Sequence, residues 1–156
     1  MVTFRIISVG RPPKDWRNEA FLHYRKLISP FAKLEEVFVK EQKTAANTDI
    51  DYALKRETDR ILKVVSPSSY MIALDKSGLS YSTEELAKHF NGLFQRHSKF
   101  DFVIGGPFGL HRELFTRADE TISLSSLTYA HDLARVVLAE QLYRLLSILN
   151  NLPYHK

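Results

Sequence analysis

Short β-rich runs alternate with helix-patterned segments along this chain, and that alternation restricts the fold more than any other feature. Phe4–Val9 is a β-rich run ending at Gly10, and Arg11-Pro12-Pro13 breaks it. Trp16, Ala20, Phe21, Tyr24, Leu27 and Ile28 then recur at helical spacing. A second strand is predicted over Glu36–Val39, followed by a polar loop at Glu41–Thr48. Residues 49–65 read as a helix with Leu54, Ile61, Leu62 and Val65 inward, and Ser66-Pro67-Ser68-Ser69 stops it. Tyr70–Leu74 reads as a third strand and Asp75-Lys76-Ser77-Gly78 as a turn. Ser82 and Glu85 are spaced to satisfy each other's exposed backbone N–H groups, so a capped helix carrying Leu86, Phe90, Leu93 and Phe94 should start there. Strands at 100–104 and 121–124 flank a short helix near Arg112–Arg117. Such alternation argues for an α/β fold, a mostly parallel sheet flanked by helices on both faces. With no linker, repeat or low-complexity tract, residues 1–156 read as a single domain.

The last helix, about Asp132–Asn150, carries apolar residues around most of its circumference, with a narrow polar stripe near Glu140, Arg144 and Ser147. A helix of that kind must be buried on more than one side. In a chain this small the second partner is expected to be another subunit, a homodimer; a central core helix would produce the same pattern.

Composition removes several classes of function. No apolar run approaches the roughly 18 residues that cross a bilayer, so no membrane span is expected. The N-terminus lacks a signal peptide's pattern, and without cysteine there is no disulfide, thiolate ligand or cysteine nucleophile; both suit the cytoplasm. Residues 1–45 hold nine Lys/Arg against five Asp/Glu, which accounts for the whole net charge of +4. A basic N-terminal face attracts a polyanion such as RNA, although a solvated surface has the same composition.

Two loops at strand ends carry the chemistry. The run Phe100–Ile104 delivers Gly105-Gly106-Pro107-Phe108-Gly109, and Thr121–Leu124 opens into Ser125-Ser126-Leu127-Thr128-Tyr129-Ala130-His131. Loops of this kind present bare backbone groups to a ligand at the carboxyl ends of strands. Neither spells a P-loop or a dinucleotide fingerprint. The first strand ends in one glycine only, which disfavours a flavodoxin-like phosphate binder or an early-glycine Rossmann enzyme. The six histidines show no metal-ligand spacing, so no metal is expected. His131 stands where the serine loop enters the long helix, either as a functional group or as a loop hydrogen-bonder. Arg135 and Arg144, about 900° apart around that helix, point to opposite sides. One can face its own subunit's ligand and the other a partner's, or both can be structural.

With these residues in place, the chain resembles the ribosomal large-subunit methyltransferase H family, small SPOUT-class enzymes that methylate N3 of a pseudouridine in 23S rRNA. The likeness runs end to end. It is carried by Val9-Gly10, Leu74-Asp75 with Gly78, Val103-Ile104-Gly105-Gly106 with Gly109, and Leu124-Ser125-Ser126-Leu127-Thr128. His131 with Arg135-Val136-Val137-Leu138, Glu140-Gln141-Leu142-Tyr143-Arg144 and the ending Tyr154-His155-Lys156 complete it. The resemblance implies a C-terminal deep trefoil knot, a homodimer, and S-adenosyl-L-methionine bound bent in the knot loops as methyl donor. It implies a cofactor site of Leu74, Gly105, Leu124, Ser125, Ser126, Leu127, Thr128 and Tyr129. It also implies catalytic positions at Arg144, Tyr154 and His155, with His131 and Arg135 near the pocket, and an assembled ribosome as substrate. Two departures stand out: Ala130 where the family typically has proline, and Phe108 at a position more often polar or acidic. A catalytically silent RNA-binding or ribosome-associated factor of the same fold is the alternative.

Overall fold

The computed structural model describes residues 1–155. Five strands form one sheet in the order β2-β1-β4-β3-β5, with every neighbouring pair parallel. They are β1 (Val2–Val9), β2 (Ala32–Val39), β3 (Tyr70–Ser80), β4 (Lys99–Ile104) and β5 (Glu120–Ser123). Parallel strands need crossovers, which α1 (Trp16–Ile28), α2 (Ile50–Val64), α3 (Thr83–Leu93) and α4 (Arg112–Arg117) supply before the closing α5 (His131–Leu149).

The strand period of two splits the core into two layers. Phe4, Ile6, Ile72, Phe100, Phe102 and Ile104 face α1, α3 and α5, where they meet Phe21, Phe90 and Leu142. Ile7, Val9, Met71, Ala73 and Val103 face α2 and α4, where they meet Ile61 and Leu114. The α/β architecture expected from alternation is therefore present, with helices on both faces.

Local signals behave as their chemistry requires. The Ser82 hydroxyl accepts from the Glu85 backbone N–H at 3.2 Å, and the Glu85 carboxylate accepts from the Ser82 N–H at 2.7 Å. Asp49 caps α2 by accepting from Asp51 N–H, and His111 caps α4 by accepting from Glu113 N–H. Ala130 precedes α5 without any side-chain cap.

One expectation is corrected. Asp75–Gly78 is not a turn that ends β3 but an irregularity inside an eleven-residue strand. Both Leu74 and Leu79 pair with Ile122, so the residues between them bulge out while β3 continues. Gly78 makes this possible: a Cβ there would stand 2.7 Å from the backbone of Thr121 and Ile122.

Candidate active site

The carboxyl ends of β4 and β5 flank β3 at Leu74, where its bulge begins, because β3 pairs with both strands. Their loops surround a cleft of about 600 Å³, within the size range of small-molecule sites. Leu74 and Asp75 come from β3, and Ile104 with the Gly105–Leu110 loop comes from β4. Leu124, Ser125, Leu127, Thr128 and Tyr129 come from the loop after β5, and His131 and Ala134 from the first turns of α5. Of the eight residues expected to hold a cofactor, seven line the cleft; Ser126 sits among them in sequence without lining it.

The glycine loop turns tightly to form the floor. Gly109 N–H donates to the Gly106 carbonyl at 3.0 Å, and Gly109 takes φ +81°, a conformation that side chains resist. A Cβ on Gly105 would stand 2.5 Å from the Gly109 carbonyl oxygen. The serine loop is held by its own hydroxyls: Ser123 Oγ donates to the Ser125 carbonyl, and Ser125 Oγ accepts from Leu127 N–H. The walls are mixed, with apolar Leu74, Ile104, Leu110 and Leu124 beside Ser125, Thr128 and backbone groups. Such a lining can hold a flat heterocycle and fix a polar tail. Asp75, Lys76 and Ala134 also line the cleft, outside the expected set. For Asp75 the signal was its place immediately after Leu74.

A second cluster forms at the far end of α5. Arg144 donates through Nε to the Glu140 carboxylate at 3.0 Å, and its guanidinium lies 4.7 Å from the centre of the Tyr154 ring. The Tyr154 hydroxyl donates to the same Glu140 carboxylate at 3.1 Å. His155 lies between Arg144 Nη1 at 3.5 Å and Glu84 Oε1 at 2.9 Å. Burial, then contact with Tyr24 and Glu140, pushes the Tyr154 phenol well above its ordinary range. Glu140 holds the Arg144 guanidinium more firmly charged, and the His155 ring lowers the Glu84 carboxyl. At neutral pH Tyr154 is thus a neutral donor beside a permanent cation. The tail through His155 is held at the surface of α5 and α3 by these contacts.

The two clusters do not meet within one chain. Thirteen residues separate His131 from Arg144 along α5, roughly 20 Å at a helix's rise per residue. Arg135 reaches neither. It is 1% exposed, paired with Glu36 of β2, with its guanidinium carbon 4.6 Å from the Phe21 ring centre. Burial raises the Glu36 carboxyl despite that arginine. His131 lines the cleft and lies 3.5 Å from Asp132, which in turn pairs with Arg17 of α1.

A parallel α/β sheet with a ligand-sized cleft at adjoining strand ends defines a class of proteins that bind a small molecule at those loops. Residues 2–155 match the family described as "Predicted SPOUT methyltransferase", and the chain belongs to the SPOUT methyltransferase family. It is a methyltransferase. It is 41% identical over 150 residues to a ribosomal RNA large subunit methyltransferase H of Pseudothermotoga lettingae, covering 96% of this chain and 97% of that one. A protein of the same name from Legionella pneumophila strain Paris is 38% identical, with both chains covered completely. In fold, the chain is similar to a probable methylase family protein from Haemophilus influenzae Rd KW20, with a TM-score of 0.54 and 16% identity. That match covers 98% of this chain and 70% of the other. The family resemblance read from the sequence motifs is borne out.

Proposed function

We propose that this chain transfers a methyl group from S-adenosyl-L-methionine to N3 of a pseudouridine in the 23S rRNA of an assembled ribosome. In this reading it acts in the cytoplasm as a homodimer whose C-terminal segment forms a trefoil knot. The observation that carries it is the cleft at the ends of β4 and β5 and the bulge of β3, lined by seven of the eight residues that the family resemblance implies for the donor.

The cleft fits that donor: its apolar walls suit an adenine ring, and Ser125, Thr128 and the glycine-loop backbone suit polar ends. When bound, S-adenosylmethionine supplies a sulfonium methyl group already activated for transfer. Leu74, Gly105 and the stretch Leu124 through Tyr129 would hold it, and the chain's remaining task is to align the base with it.

The N3 proton of pseudouridine is weakly acidic, and the attacking form is the deprotonated base. Arg144 stabilises the negative charge that develops there. His155, or a water it holds, takes the proton. Tyr154, kept protonated by its surroundings, stacks on or donates to the base and does not serve as the general base. His131 works at the cofactor end. Arg135, enclosed with Glu36 and Phe21, positions the first turns of α5 without touching substrate.

Since Arg144 and the cleft stand a helix length apart, one protomer's tail does not serve its own cleft. Leu133, Val137, Glu140, Arg144 and Ile148 form a half-buried stripe on α5. Antiparallel pairing of two such stripes about Val137 brings Arg144 of the partner subunit level with the first turn of α5. That arrangement supports the homodimer.

The test is incubation with labelled S-adenosylmethionine and ribosomes lacking this modification, followed by mapping of the label. Label on N3 of one 23S pseudouridine is expected. Label elsewhere, or none, overturns the reading.

A further inference from the structure

We propose that the loops after β1 and β2 form an RNA-docking rim, in which Arg11, Lys14, Lys40 and Lys43 hold phosphates and Trp16 stacks on an unpaired base. This rests on the reading of the chain as an RNA methyltransferase, and it assigns the surface that receives the RNA next to the cleft.

The two loops leave the sheet together. Gly10 N–H donates to the Val39 carbonyl at 2.9 Å, so Arg11 and Lys40 begin neighbouring loops on the edge that carries the cleft. Arg11, Lys14, Lys40 and Lys43 are all exposed, and among the described residues none has an ion-pair partner. Acids do not cancel them. Asp15 is matched by Arg17 at 2.7 Å, which leaves Glu19 and Glu41 as the exposed, unmatched acids between these positions, two against four cations. A surface of free cations is the electrostatic footprint of a phosphate backbone.

Trp16 adds a second kind of contact. It opens α1 with 62% of its surface exposed, although a tryptophan ring strongly favours burial. Its neighbour Arg17 pairs with Asp132 at 3.3 Å, and Asp132 follows His131, which lines the cleft. On the other side, β1 abuts the glycine loop: a Cβ on Gly106 would stand 3.4 Å from Val9. The start of α1 is thus tied to the cleft through Asp132, and the end of β1 through Val9. A flat aromatic face set among cations beside a catalytic cleft suits an unstacked base better than an apolar protein surface, which would leave four charges unpaired.

Trp16 is the only tryptophan, so its emission reports this site alone. The intact protein is titrated with a short single-stranded RNA oligonucleotide at low and moderate salt, and binding is followed in parallel by filter retention. Saturable quenching is expected, with a log–log salt slope of about −3 for four phosphates on a single strand. Trp16→Ala is expected to weaken RNA binding about tenfold. Lys40→Glu with Lys43→Glu is expected to weaken it at least as much, and both variants should bind S-adenosylmethionine as the unaltered protein does. The proposal is overturned if RNA does not bind, if it binds without changing Trp16 emission, or if the variants keep full affinity. Emission that responds to dilution of the protein but not to RNA also overturns it, since a second copy then covers the ring. Oligonucleotide binding requires no turnover, so its failure is distinguishable from a failure to methylate ribosomes.

Discussion

The Arg144 guanidinium faces the Tyr154 ring at 4.7 Å while both residues share the Glu140 carboxylate, so the tail is clamped to α5 by a cation. In the proposed mechanism, Arg144→Ala removes the charge that would stabilise a developing anion. Turnover should fall about a hundredfold or more. Affinity for S-adenosylmethionine, read by calorimetry, should be unchanged because Arg144 is not among the residues that line the cleft. Equal turnover would remove Arg144 from the mechanism.

Deleting the chain from Tyr154 onward removes contacts at or near the surface, including the exposed pair of His155 with Glu84. Exposed pairs contribute about 1 kcal/mol or less. The truncated protein should fold, unfold at nearly the same urea concentration and bind donor normally. Methylation of ribosomes should be abolished.

Arg135 tests the opposite prediction, one of stability. It is paired with Glu36 in the core between α1, α5 and β2, with Phe21 against its guanidinium. Arg135→Ala strands a largely buried carboxylate and should cost about 3 kcal/mol in urea unfolding. Replacing both partners, Arg135→Met with Glu36→Leu, should recover most of that loss, because two compact apolar groups need no counter-charge.

Gly105→Ala should damage the cleft selectively. The new Cβ would meet the Gly109 carbonyl oxygen at 2.5 Å, and a backbone atom cannot swing aside as a side-chain tip can. Calorimetric affinity for S-adenosylmethionine should drop at least about tenfold, for a clash costing roughly 1–3 kcal/mol. Normal affinity would show that the glycine loop does not frame the donor.

Tyr81 supplies the pH dependence. Burial, then its hydrogen bond to Glu120, pushes its phenol up to about 12, against an ordinary value of 10.0. The folded state therefore holds this proton more tightly than the unfolded state. Its contribution is fully present below pH 10.0 and is lost as pH rises through about 12. The thermal midpoint should fall across that window, and Tyr81→Phe should flatten the fall, with phenolate absorbance recording the titration.

Much of the fold was legible because its signals are local. Phe4 to Val9 form a β-rich run closed by Gly10, Ser82 and Glu85 cap within one turn, and the glycine and serine loops follow their strands directly. The same locality misled at Asp75–Gly78. Turn-forming residues there accommodate a bulge only because β5 lies alongside, and β5 is more than forty residues away in sequence. The apolar circumference of α5 was readable as periodicity, but Ser147, expected on its narrow polar stripe, is buried and satisfies its hydroxyl on the Tyr143 carbonyl.

Sequence alone determined the α/β class, the two loops that frame the cleft and, through its motifs, the family, since each is written in short-range patterns of spacing and residue type. Only the tertiary structure separated the two arginines of α5 by role. Arg135 meets Glu36 across ninety-nine positions of chain, and Arg144 meets the tail eleven positions on. Which partner a charged side chain finds depends on how sheet and helices pack, and no periodicity records that.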